Sequence, residues 1–153
     1  MTADSHYRGP DAGTVAHRTA ADFLRGGWRV HRRVVDHRRG IEGAFVGRAR
    51  FADDLTYEED GELSFGGHRG PAARSLRYVD RGGHVLDVRF ADGRDFYRLD
   101  LSDGGWSAEH PCRADSYVVA GRITGPDSFT EHWHATGPDK DYELHTTYER
   151  ESD

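Results

Sequence analysis

From Arg39 onward, turn-forming pairs interrupt the chain roughly every ten residues: Arg39-Gly40, Asp53-Asp54, Asp60-Gly61, Gly66-Gly67, Gly82-Gly83, Asp92-Gly93, Asp103-Gly104, Gly125-Pro126 and Gly137-Pro138. Breaks this close together leave no room for long helices, and the residues between them alternate in polarity as strands do. Strands are predicted at about 27–37, 43–52, 55–59, 62–66, 73–80, 84–91, 94–101, 106–112, 115–124, 128–136 and 140–150. The one helical run is HRTAADFLR, from His17 to Arg25, with Thr19 as its candidate cap and Gly26-Gly27 as its stop. Residues 1–16 are polar with no apolar period and read as a disordered tail, leaving 17–150 as a single domain. A chain of 153 residues supports one core rather than two. Many short antiparallel strands around one core specify a barrel or a sandwich.

The alternation also orients the strands. In HVLDVRFADGRDFYRLDL, Asp92-Gly93 predicts a two-residue type I′ turn that pairs Ala91 with Arg94 and Val88 with Tyr97. Leu86, Val88, Tyr97 and Leu99 then share a buried face, with Asp87, Arg89, Arg98 and Asp100 on the wet one; Phe96 falls among the charges outside. In the first strand Trp28, Val30, Arg32 and Val34 share a face, so Arg32 points inward. Phe45, Gly47, Ala49 and Phe51 line up in the second strand, small between large, as a curved inner wall requires. The last strand sets Tyr142, Leu144, Thr146, Tyr148 and Arg150 against Glu143, His145, Thr147 and Glu149.

Composition narrows the function classes. A net charge of −6 with acidic and basic residues interleaved excludes a concentrated basic face, so no nucleic-acid partner is expected. The longest apolar run, Tyr117 to Ala120, is far below the ~20 residues of a membrane helix, and no membrane association is expected. The N-terminal segment lacks the order of a secretory signal and Cys112 has no intrachain partner, which together point to a cytoplasmic protein. No nucleophile elbow, phosphate-binding glycine loop or dinucleotide fingerprint is present, and no cofactor is expected.

Several polar residues fall on inward faces. A buried guanidinium cannot shed its charge, so Arg32 either clamps an anion or carbonyl of a ligand or closes an internal ion pair, for instance with Glu59 or Asp36. Arg74 raises the same question if Arg74, Leu76 and Tyr78 face inward, although Arg77 and Val79 alternate comparably. His110 and Cys112 share a strand side with Trp106; Cys112 reads as inert, whereas His110 is a candidate acid or base. His132 and His134 form an H-x-H pair to which His145 could add a third metal ligand, yet both share the face of Thr130 and Thr136 and point to solvent; no metal site is assigned.

The sequence FLRGGW, with Trp28 opening the first strand, resembles the Gly-x-Trp signature of the lipocalin and calycin superfamily, and Arg150 is placed to supply the late basic residue stacked over that Trp. The ending Thr-x-Tyr-x-Arg is similar to the closing strand of fatty-acid-binding proteins, with Thr146 where those carry an anion-binding Arg. FLRGGW, RARF, FADGRDFYRLDL, HPCRADSY and GPDKDYELHTTYER together resemble an uncharacterised bacterial domain-of-unknown-function family with a calycin-like barrel, over about residues 20–150. That family's His after the hairpin Phe is Tyr97 here, and its Arg after the late Trp is His134. The resemblance implies a fold and no reaction: an all-β, antiparallel, lipocalin-like barrel of eight to ten strands with a short N-terminal helix.

Such a barrel would enclose Trp28, Arg32, Tyr57, Glu59, Tyr78, Tyr97, His110, Tyr117, Trp133, Tyr142 and Tyr148, aromatic walls with a few polar heads. This composition suits a small aromatic or amphipathic anion held by a monomer or homodimer. A cofactor-free isomerase, cyclase or lyase using His110 or Glu59 in the same cavity is the alternative, and haem or another tetrapyrrole on a histidine is the second.

Overall fold

The computed structural model describes residues 18–152, so the predicted tail over 1–16 lies outside the described residues. Helix α1 (Ala20–Leu24) is capped by Thr19, whose Oγ1 accepts from the Asp22 amide at 3.1 Å. Ten strands follow: β1 (Gly26–Asp36), β2 (Ile41–Phe51), β3 (Thr56–Phe65), β4 (His68–Asp80), β5 (Val85–Phe90), β6 (Asp95–Asp100), β7 (Gly105–Cys112), β8 (Asp115–Gly125), β9 (Ser128–Thr136) and β10 (Asp141–Arg150). All pair antiparallel with their chain neighbours except β6 with β7, and β1 also pairs with β10. The sheet therefore curls into a nearly closed all-β barrel with a single unpaired seam between β6 and β7.

Three local readings are corrected. The predicted strands 55–59 and 62–66 are one strand, β3, because Asp60-Gly61 is no turn: Gly61 sits opposite Gly47 of β2. A Cβ on Gly61 would lie 2.6 Å from the Gly47 Cα, so the missing side chains let the two backbones approach. The Asp92-Gly93 hairpin is not type I′ either. The Gly93 amide donates to the Phe90 carbonyl and the Phe90 amide to that of Arg94, both at 2.9 Å, so Phe90 rather than Ala91 faces Arg94. Gly93, at φ +92°, is the bulge residue after a type I turn that Asp92 Oδ1 braces by accepting from the Arg94 amide. A second register shift after Val88 restores the predicted Val88–Tyr97 pair. Between the two irregularities Phe96 turns inward, against the sequence reading, stacking on Phe90 at 4.2 Å and on Trp133 of β9 at 5.0 Å. Side chains thereby bridge the seam that lacks backbone bonds.

The closed end matches the alternation. Trp28 is fully buried, and its indole donates to the Leu24 carbonyl at 2.8 Å, tying α1 to β1. Arg150 lies 4.3 Å from the Trp28 ring centre and donates to the carbonyls of Phe23 and Arg25. Phe23, Phe51, Phe129, Leu86 and Leu99 complete an apolar plug at this end. Any usable space must lie above it.

Candidate functional site

Above the plug, alternate residues of β1, β3, β4 and β10 carry a polar belt. Glu59 is opposite Arg74, and Arg32 is opposite Thr146. Both terminal nitrogens of Arg32 donate to Glu59, at 3.0 Å each, and its Nε donates to Thr146 Oγ1 at 2.9 Å. The Tyr57 hydroxyl donates to Glu59 at 3.0 Å and lies 3.3 Å from that of Tyr148. Of the readings left open for Arg32, the structure realises the ion pair with Glu59.

Arg74 faces inward and touches the same carboxylate through Nε, but makes no well-formed hydrogen bond from that buried atom. About a third of its side chain (34%) stays open, against 9% for Arg32 and 1% for Glu59. Two guanidiniums thus share Glu59, and Arg74, the less enclosed of the two, is balanced further only by the field of buried Glu131, with which it forms no ion pair. Burial pushes the Glu59 carboxyl up, but Arg74 and Arg32 outweigh it and hold it below the ordinary carboxylate range. Burial likewise works against charge on Arg74, and Tyr148 and Glu59 overcome it, so Arg74 stays protonated. An anion clamped by two cations is a weak proton acceptor.

The belt floors a cup of about 340 Å³ at the open end. Its walls are Val34, Phe45, Leu63, Phe65, Ala72 and Leu144, with Arg32, Glu59 and Arg74 below. Apolar walls over a charged floor suit a molecule with one apolar and one anionic part.

The residues predicted as a site separate into groups. Arg32, Tyr57, Glu59 and Tyr148 come together in the belt. Trp28 lies beneath it in the sealed plug, and Tyr78 packs against Phe51 and Tyr57. Tyr97 and Trp133 converge on Glu131, donating to its two oxygens at 3.2 and 2.8 Å. His110 stands at the seam, edge-on to Phe90 and Phe96, with Tyr117 opposite it on β8. Tyr142 is half-buried, Tyr117 accepts a hydrogen bond from Lys140 at 3.0 Å, and Cys112 is exposed. Sequence reasoning missed Glu131, although its alternation with Phe129 and Trp133 places it inside. It also missed the cup walls Leu63 and Phe65, whose phase with Tyr57 and Glu59 is lost when β3 is cut at Gly61.

Acid should act on these pairs in a defined sense. Asp87, bonded by Arg98 and Arg81, is pulled down to about 2, and Glu59 shifts in the same direction. Carboxylates with depressed pKa stabilise fully above their unfolded values of about 4, and lose that contribution as pH falls through the folded ones. The urea midpoint is therefore expected to hold near pH 6 and fall steadily from about pH 4 to pH 2.

An antiparallel barrel with a Trp–Arg closed end and an open apolar mouth is a calycin-like barrel. The chain belongs to the family of unknown function DUF6314, whose profile matches residues 24–150. Its structure is similar to the S-type phycobiliprotein lyase CPES of Guillardia theta, with TM-score 0.60 and 10% identity over 92% of this chain and 97% of that one. It is also similar to a protein of unknown function from the DUF3598 family of Nostoc punctiforme, with TM-score 0.56 and 14% identity over 88% of this chain and 51% of that one. At such identities the likeness is one of fold. No curated protein matches the sequence.

Proposed function

We propose that the protein binds a small amphipathic or aromatic anion in the cup, its anionic end toward Arg74 and its apolar part against Phe45, Leu63, Phe65 and Leu144. The single observation that carries this reading is the uneven floor, two guanidiniums against one carboxylate beneath apolar walls. Arg32 is spent on Glu59 and Thr146, so its part is to hold the floor, while Arg74 keeps charge to offer. A volume of about 340 Å³ lies at the small end of ligand pockets, fitting a molecule of up to about three rings or a short acyl chain.

The test uses 1-anilinonaphthalene-8-sulfonate, an aromatic anion, titrated by fluorescence into folded protein, with near-UV circular dichroism checking each variant. Saturable one-to-one binding is expected. Arg74→Met should weaken it about tenfold, equivalent to about 1.4 kcal/mol, and Ala72→Trp, which fills the cup, should abolish it. If both variants bind as the native chain does, the dye sits elsewhere and the reading fails.

A further inference from the structure

A second cluster stands on the outer wall, away from the cup. β9 and β10 pair so that His132 and His145 are directly opposite, and their rings stack with centroids 4.4 Å apart at 26°. Glu143 shares this face, two residues before His145. Its Oε1 lies 2.8 Å from His132 Nε2 and 3.9 Å from His145 Nε2, and one ligand atom from each of the three residues falls within 4.8 Å of the others. The second carboxylate oxygen of Glu143 is held by His37 Nε2 at 2.5 Å. The H-x-H spacing in the sequence suggests a different set, but His134 is turned to Asp141, at 2.8 Å. His132 and His145 also line a broad concavity of about 1070 Å³, which runs across β7–β10 and the edge of β6.

We propose that His132, Glu143 and His145 form a binding site for one first-row divalent cation of the zinc type, with His37 orienting Glu143 from behind. Two imidazole nitrogens and one carboxylate oxygen are a donor set that zinc accepts, at ~2.0–2.2 Å per bond. Ligand atoms around one such ion stand ~3.3 Å apart, so the two part-exposed imidazoles need only small rotations toward the Glu143 oxygen that faces them. A carboxylate whose far oxygen is already fixed by an imidazole has the outer-shell support that metal ligands commonly show. Three protein ligands leave a fourth position open toward the groove, for water or for a donor atom of a molecule lying there.

The experiment is calorimetric titration of Zn²⁺ into tag-free, chelator-treated full-length protein, with Co²⁺ absorption as a second reading of the ligand set. One equivalent is expected, with visible Co²⁺ bands of low-coordinate N/O type. The double variant His132→Ala, His145→Ala should lose at least about a hundredfold in affinity, and Glu143→Gln about tenfold. His110→Ala, at the seam, should leave both readings unchanged. Anilinonaphthalene binding measured on the same variants should persist, which separates this site from the cup. Absence of saturable binding below about 100 μM, far weaker than zinc sites of this kind, would reduce the cluster to a surface ion pair. Binding that survives the double variant would place the metal on other histidines. Either result overturns the proposal.

Discussion

Glu59→Gln is expected to destabilise the protein by about 3–5 kcal/mol, the cost of breaking a buried ion pair from one side. The substitution keeps the size of the side chain and removes its charge, so Arg32 and Arg74 then face a neutral amide and each other. Arg32 cannot escape, since only 9% of its side chain is exposed and Thr146 and Phe45 pin it in place. Tyr57 also loses its charged acceptor. Converting Glu59 to Leu together with Arg32 and Arg74 to Met removes all three charges, and it is expected to recover most of the loss, because the apolar set no longer buries an unpaired ion. Urea denaturation of the single and triple variants measures both. A loss under about 1 kcal/mol for Glu59→Gln would mean that water in the cup already satisfies the arginines, and the floor would then be too wet to orient a ligand.

Legibility in the sequence follows the range of the interaction. Alternation within a strand is local, so it places Trp28, Val30 and Arg32 inside, puts His132 and His134 outside, and sets Leu86 and Val88 against Tyr97 and Leu99. The stacking of Arg150 on Trp28 is legible for a different reason: it comes from a resemblance to known barrels. What escapes is whatever depends on the partner strand. Gly61 after Asp60 has the chemistry of a turn, and only the register that sets it against Gly47 shows it to be a place of close approach. Arg74 alternates no more convincingly than Arg77 until Glu59 is known to be its neighbour. The outer cluster makes the same point. Residues two apart on one strand are ~6.6 Å apart by strand rise, whereas directly opposed residues have Cβ atoms ~5 Å apart. His132 therefore meets His145 across the ladder more closely than it meets His134 along it.

The same close approach makes Gly61→Ala the other substitution of large effect, with a loss of about 3 kcal/mol or more expected from overpacking against immovable atoms. The new methyl would meet the Val46 carbonyl oxygen and the Gly47 Cα, all of it backbone, so no side chain can swing aside. β2 and β3 would have to part locally, breaking ladder bonds on both sides of Gly61. Glu59 lies two residues away on the same face, so the separation would also shift the carboxylate relative to Arg32 and widen the cup below Leu63. Dye affinity in the cup should therefore fall with stability. Gly70→Ala is the matched control: the same change in β4, where a Cβ meets nothing within 4 Å, should move the urea midpoint little or raise it slightly. A Gly61→Ala protein as stable as the native chain would mean that the two glycines do not face each other, and with that register would go the alignment that carries Glu59 to Arg32 and Arg74.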